Sequence, residues 1–263
     1  MTDLRFGDVT VALDDEYVAT VEMHRPPENY FDTDVIRWLA DAYTALDADP
    51  ACRAILLCSE GKHFCAGANL VGRSSDADAV AAVDGPEMVF REATRMFAAQ
   101  TPVVAAVQGA AVGAGLGLVC SADLRVACPE ARFAANFVRL GFHHVFGLSA
   151  TLPEIVGRQR ALDLLYTGRR FNGEEAYRIG LCDRLVPADT LRVEAHALAA
   201  EIAGGAPLAL GAIRRTMRAG LADRFRAAVE HEAAEQELLE VSADWAEGVQ
   251  ASRERRPPRF EGR

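Results

Sequence analysis

Lysine is nearly missing from this sequence: Lys62 is the only one in 263 residues, and arginine supplies every other fixed positive charge. Positive charge as a whole is scarce, with 28 basic against 38 acidic residues and a net charge of -10. That balance withholds the bulk attraction that a nucleic acid or an anionic membrane would need. No apolar run reaches the about 18 residues of a membrane-crossing helix. The N-terminal "MTDLRFGDVTVAL" has the pattern of neither a signal nor a transit peptide, so a cytoplasmic chain is expected. The six cysteines, at 52, 58, 65, 120, 128 and 182, lie mostly inside apolar runs and form no CxxC pair. This spacing argues against a disulfide framework or a zinc site and for small buried thiols in a reducing compartment. No metal site and no internal repeat is expected.

What is present is an ordinary core-forming composition, half hydrophobic and a quarter charged. "VTVALDDEYVATVEM" predicts two strands around an acidic turn. "DTDVIRWLADAYTALDADP" predicts a helix with an Asp or Thr cap and a proline stop. "CRAILLCSE" and "PVVAAVQG" are continuous apolar runs of buried-strand type, with the helical "EMVFREATRMFAAQ" before the second. "ADLRVACPEARFAA" reads as strand, turn, strand. Alternation of strand and helix predicts an α/β core over residues 1–190, followed by a helical C-terminal region over 191–263. The polar stretch 71–86 reads as a loop carrying Asp76, Asp78 and Asp84. A basic cluster, "RERRPPR", stands near the C-terminus of an otherwise acidic chain.

Chemistry is signalled by two junctions where a strand enters a glycine-dense turn and then a helix: "ILLCSEGKHFCAGANL" (55–70) and "VVAAVQGAAVGAGLG" (103–117). Backbone amides at the start of a helix stabilise negative charge, and two that converge can hold an oxyanion. A dinucleotide-binding fingerprint does not fit, because residues 113–117 read GxGxG and no GxGxxG follows.

Five ordered stretches carry a resemblance that spans nearly the whole chain: "HRPPENYFD", "GKHFCAGANL", "VQGAAVGAGLGLVCSADLRVA", "YTGRRFNGEEAYRIGLCDRLVP" and "RERRPPRFEGR". Together they resemble the crotonase (enoyl-CoA hydratase/isomerase) superfamily. The resemblance implies an α/β fold, a spiral of stacked ββα units with a helical C-terminal trimerisation region. It also implies assembly as a homotrimer or a dimer of trimers. It implies an acyl-CoA substrate, coenzyme A entering as part of the thioester and no separate cofactor. The amides of Ala68 and Ala114 would polarise the thioester carbonyl. CoA would be met by the backbone around Arg25, Glu28 and Asn29, by Ala66 and by Lys62, and by Arg259 and Phe260 of a neighbouring subunit.

The same resemblance exposes a gap. Hydratases of the superfamily flank a water with two glutamates, and the aligned residues here are Gly117 and Phe137, neither of which can move a proton. Standard two-glutamate hydration is therefore not expected. Substitutes are His143 and His144 in "GFHHVFG", whose imidazoles titrate near neutral pH, and Asn136, which could orient a carbonyl or a water. The adjacent histidines could equally pack a turn, and Asp123 reads as a cap for local amides. Three functions stay open: an enolate-forming acyl-CoA enzyme, a non-catalytic acyl-CoA-binding protein, and a histidine-dependent hydrolase of β-diketone C–C bonds.

Overall fold

Alternation of apolar residues sets the first strands. In β2 (Val9–Leu13) Val9, Val11 and Leu13 are buried while the residues between them are not. The strand pairs antiparallel with β3 (Val18–Met23), from Val9 opposite Met23 to Leu13 opposite Ala19. The acidic turn between them is closed by the Asp14 carboxylate, which accepts from the Glu16 and Val18 amides. A further strand, β1 (Asp3–Phe6), adds antiparallel to β2; its mostly exposed side chains left no apolar signal to read. The computed structural model describes residues 3–68 and 86–263, so Asp76, Asp78 and Asp84 lie outside the described residues.

From β3 onward the main sheet is parallel: β4 (Ala54–Ser59), β5 (Val103–Val107), β7 (Leu124–Ala127) and β10 (Arg184–Leu185) follow side by side. Every residue of β4 and β5 is buried, as a parallel sheet covered on both faces requires. Cover comes from α1 (Thr33–Asp47), from α2 (Pro86–Ala98) packed on it, and from α7 (Leu191–Ala203). The cap of α1 is Asp32, whose carboxylate accepts from the Val35 amide at 2.9 Å. Helix α7 lies against β4, β5 and β7, so the first helix after residue 190 belongs to the packing of the sheet.

A second, smaller sheet was not foreseen. Strand β6 (Ala110–Val112) occupies what reads in sequence as part of a glycine turn. It pairs in parallel with β8 (Arg132–Ala134), which pairs antiparallel with β9 (Arg170–Asn172). The expected strand–turn–strand at 122–135 therefore exists, but its two strands, β7 and β8, enter different sheets. Phe133 and Phe171 stack at 5.4 Å on the buried face of the small sheet. By register and alternation, Ala110, Val112, Arg132, Ala134, Arg170 and Asn172 share the other face.

The remaining helices are α3 (Ala114–Ser121), α4 (Leu148–Val156), α5 (Arg158–Thr167), α6 (Gly173–Arg178), α8 (Pro207–Met217), α9 (Leu221–Glu240) and α10 (Ala243–Glu254), with a 3₁₀ turn over Asn136–Leu140. All eight residues of α3 are buried, which is why "AGLGLVCS" is apolar on every side.

Candidate active site

The two glycine-rich junctions meet backbone to backbone. Cys65 bridges Ala111 in parallel: its amide donates to the Ala110 carbonyl at 2.9 Å and its carbonyl accepts from the Val112 amide at 3.0 Å. Glycine is required at two points of this contact. A Cβ on Gly67, which has φ +91°, would lie 2.9 Å from the Val112 carbonyl oxygen, and one on Gly115 would overlap the Cys65 carbonyl. The turn 65–68 is thereby laid against the start of α3.

Two amides at this contact, those of Ala68 and Ala114, donate no hydrogen bond among the described residues. Ala114 is the first residue of α3, so helix geometry gives its N–H no partner within the helix. Gly113 before it has φ +58° and no capping side chain, which leaves the helix start open. The two preceding amides are engaged, with Gly113 donating to the Ala134 carbonyl and Val112 to the Cys65 carbonyl. Ala68 bridges Phe31 through the carbonyl of Gly67, an arrangement that does not use its own N–H. Ala68 is exposed on the wall of a cleft of about 1190 Å³, with Ala66, Val112 and Asn136 beside it. The Asn136 carboxamide has no hydrogen-bond partner among the described residues, and its oxygen faces Gly113.

Position 117 is filled from outside. A Cβ on Gly117 would come within 2.6 Å of the Phe146 ring. Phe146 is 1% exposed and sits at φ +62°, held edge-on to Phe31 at 4.9 Å and against Phe225 at 5.7 Å. Phe97 stacks on Phe225 at 3.9 Å and completes the cluster. Phe137 is also buried and packs edge-on to Phe142. Aromatic carbon therefore occupies the surroundings of both positions.

His143 and His144 are brought together with each other and with α9, not with the cleft wall. The rings stack at 4.0 Å, and His143 meets His231 edge-on. His144 Nε2 lies 2.7 Å from Ser149 Oγ and 3.8 Å from Glu232, a fully buried carboxylate that accepts from the Gly147 and Ser149 amides. Burial, then the neighbouring His143 and His231, brings His144 down to about 4. Such an imidazole is neutral at pH 7 and serves the packing of the 141–149 segment.

Several residues expected to meet CoA serve the fold. The Arg25 guanidinium pairs with Asp8 and Asp32 and lies over Trp38. Asn29 is 2% exposed, and its side chain ties three backbone groups, those of Arg25, Glu60 and His63. The Glu28 carbonyl accepts from the Ala66 amide at 2.9 Å. Lys62 is exposed away from the cleft lining, whereas its neighbour His63 lines it. His63 Nδ1 accepts from the Ala110 amide at 3.0 Å, which leaves the neutral ring's proton on Nε2; burial and then the Lys62 charge lower its pKa. Arg259 and Phe260 stand on a tail folded back along α10 and do not line this chain's own cleft. Arg132, Arg170 and Arg178 do line it; no local motif marks them, because their convergence depends on the small sheet and α6.

The six cysteines are all buried and unpaired, and burial pushes Cys65 and Cys120 up to about 12, so neither is a thiolate nucleophile. Asp123 accepts from the Val103 amide and also from Arg214 and Arg218, two partners more than 90 positions away that its local sequence could not announce.

Comparison with known proteins identifies the family. The enoyl-CoA hydratase/isomerase family model matches residues 14–263. A Thermus thermophilus protein provisionally named an enoyl-CoA hydratase is 36% identical, over 95% of this chain and 100% of that one. The 1,2-epoxyphenylacetyl-CoA isomerase of Escherichia coli is 31% identical, over 94% and 95%. The crystal structure of an enoyl-CoA hydratase/isomerase from Pseudoalteromonas atlantica superposes with a TM-score of 0.86 at 30% identity, over 97% of this chain and all of that one. With its parallel sheet, helical C-terminal region and paired glycine turns, this chain belongs to the enoyl-CoA hydratase/isomerase family of the crotonase superfamily.

Proposed function

We propose that this protein binds an acyl-CoA thioester, holds its carbonyl oxygen on the Ala68 and Ala114 amides, and works through an enolate. Addition of water between two carboxylates is not part of this reading. The observation that carries it is the Ala68 amide on the cleft wall and the Ala114 amide at the open start of α3, both without a hydrogen-bond partner among the described residues, with a Phe146 ring packed against Gly117. When the α-proton leaves, charge moves onto the carbonyl oxygen, where the two N–H groups and the N-terminus of α3 meet it. Asn136, free on the same wall, is placed to donate to a carbonyl or hold a water. Names of relatives do not decide between the family's reactions, since they include both hydratases and an isomerase. Packing at position 117 favours isomerase-type chemistry. The base is left to a carboxylate elsewhere; Asp76, Asp78 and Asp84, outside the described residues, are the ones the 71–86 stretch offers. A histidine-dependent hydrolase is disfavoured by the separation of His143 and His144 from the cleft lining.

The test is α-proton exchange of butyryl-CoA in D2O, followed by NMR, beside hydration of crotonyl-CoA. Exchange with little hydration is expected. Crotonyl-CoA hydration at ordinary hydratase rates would refute the reading, and tight binding without exchange would make the protein a binder only. Ala114→Pro removes the N–H at the one helical position that tolerates proline, and exchange should fall by about 10²–10³. We also read the tail, with Phe260 exposed, as presented to the cleft of a neighbouring copy in a homotrimer or dimer of trimers. Sedimentation velocity tests that assembly.

A further inference from the structure

Buried polar atoms in a folded protein have hydrogen-bond partners almost without exception, and a group of them without any is explained by strain, by water or by an ion. Three such atoms belong to residues that meet between α1, α8 and the turn after α3. They are the Tyr43 hydroxyl, Arg214 Nη2 and Arg218 Nε, each shut off from solvent and without a partner among the described residues. Tyr43 is 2% exposed and Arg214 7%. The Tyr43 hydroxyl stands within electrostatic reach of Arg214, Asp123 and Arg218. Arginine offers donors only, so the two guanidiniums cannot satisfy one another, and the Tyr43 oxygen accepts from neither.

Charge decides among these explanations. Arg214 and Arg218 share a single carboxylate, Asp123, which accepts from Nε of the first at 2.9 Å and Nη1 of the second at 2.6 Å. Their other hydrogen bonds go to neutral carbonyls, Arg214 to Ala99 and Arg218 to Ser121. The Asp47 carboxylate, bound to the residues that follow Ala99, is taken up by the Gln100 and Thr101 amides and the Thr101 hydroxyl and pairs with neither guanidinium. Phe97 supplies only a ring face to Arg218, at 5.7 Å. Two guanidiniums that stay charged at any ordinary pH thus share one carboxylate, which leaves a positive charge in excess. Burial, with the Arg214 charge beside it, holds Arg218 below the usual guanidinium range in spite of Asp123. A water would bring no charge to this place, whereas an anion accepts from all three donors and cancels the excess.

We propose that the Tyr43 hydroxyl, Arg214 Nη2 and Arg218 Nε hold a small monovalent anion, chloride, inside the protein between α1 and α8. Three donors without solvent contact match a monatomic acceptor. A tetrahedral oxyanion would bury further oxygens with no donor to meet them. The ion ties α8 of the C-terminal region to α1 of the core beside the Asp123 pairs. Its effect is therefore read in stability, apart from the chemistry at the Ala68 and Ala114 amides.

Thermal unfolding in sodium chloride, with sodium gluconate keeping the ionic strength constant, tests it. The wild type should melt at a higher temperature as chloride replaces gluconate, because a ligand of the folded state alone stabilises by mass action. Tyr43→Phe removes the hydroxyl and keeps the ring, and should need about ten times more chloride for the same rise. Wild-type crystals grown in sodium bromide give a second measurement that depends on no variant. The anomalous peak should lie within hydrogen-bonding reach of Tyr43 Oη, Arg214 Nη2 and Arg218 Nε. Melting indifferent to chloride overturns the proposal, and so does a water at that position without anomalous signal. A chloride response in Tyr43→Phe equal to that of the wild type overturns the assignment to these donors. A bromide peak without chloride-dependent melting is an adventitious ion only, and overturns it as well.

Discussion

Position 117 shows how one missing side chain can be a packing requirement. Phe146 takes up the volume that any Cβ there would claim, and it is pinned by Phe31 and Phe225. Gly117→Glu should therefore destabilise by about 1–3 kcal/mol through overpacking, more if the carboxylate is left without a partner. Gly117→Glu combined with Phe146→Ala should recover part of that loss in chemical denaturation. If Gly117→Glu alone unfolds like the wild type, the ring has room to move aside and position 117 is not sterically closed. The sequence displays the glycine plainly. It does not display its partner, 29 positions on, because nothing local to "HHVFG" ties Phe146 to that helix.

Among elements, two carboxylates, the half-buried Asp123 and the buried Glu232, connect the C-terminal helices to the core. Asp123 receives Arg214 Nε at 2.9 Å, Arg218 Nη1 at 2.6 Å and the Val103 amide at 2.8 Å. Burial alone would raise its pKa, but Arg214 and Arg218 outweigh that and hold it below the usual range. Asp123→Asn leaves the buried Arg214 and the half-buried Arg218 facing a neutral group and should cost about 3 kcal/mol, measured by denaturant unfolding. Glu232 does the corresponding work for the segment leading into α4. Beside it, His144 is held neutral, down to about 4 from 6.5. Between those values the unfolded chain binds the proton that the folded chain refuses. The His144 contribution is thus complete above about pH 6.5 and lost as pH falls toward 4, at most about 3 kcal/mol. Glu232, raised by burial, titrates in the opposite sense. The comparison that isolates His144 is the wild type against His144→Gln, and the variant should show a flatter fall in melting temperature from pH 7 to pH 5. Helix α1, its Asp32 cap and strands β2 to β5 were readable in advance, since each is written in a contiguous pattern. The small sheet was not, because its strands are only three residues long and both of its pairings span more than twenty positions.

For the whole molecule, the tail is the feature that composition misrepresents. "RERRPPRFEGR" has the basic, proline-containing character of a solvated end, yet it is fastened to α10. The Glu247 carboxylate accepts from Arg256 and from the Arg259 amide, which bring it down to about 2, and Asp244 accepts from the Glu261 and Gly262 amides. Replacing Glu247 with Gln and Asp244 with Asn together should free residues 256–263, seen as faster amide hydrogen exchange there with the core strands unchanged. Unaltered exchange in the tail would show that other contacts hold it.

The sequence by itself determined the family, the parallel core and the buried thiols. Those features depend on local pattern and turn chemistry. Tertiary structure alone decided that Phe146 closes position 117, that His143 and His144 belong to the packing around Glu232, and that Arg132, Arg170 and Arg178 share one wall of the cleft. Each of these depends on side chains far apart in the chain meeting across elements, and one-dimensional spacing carries no record of such meetings.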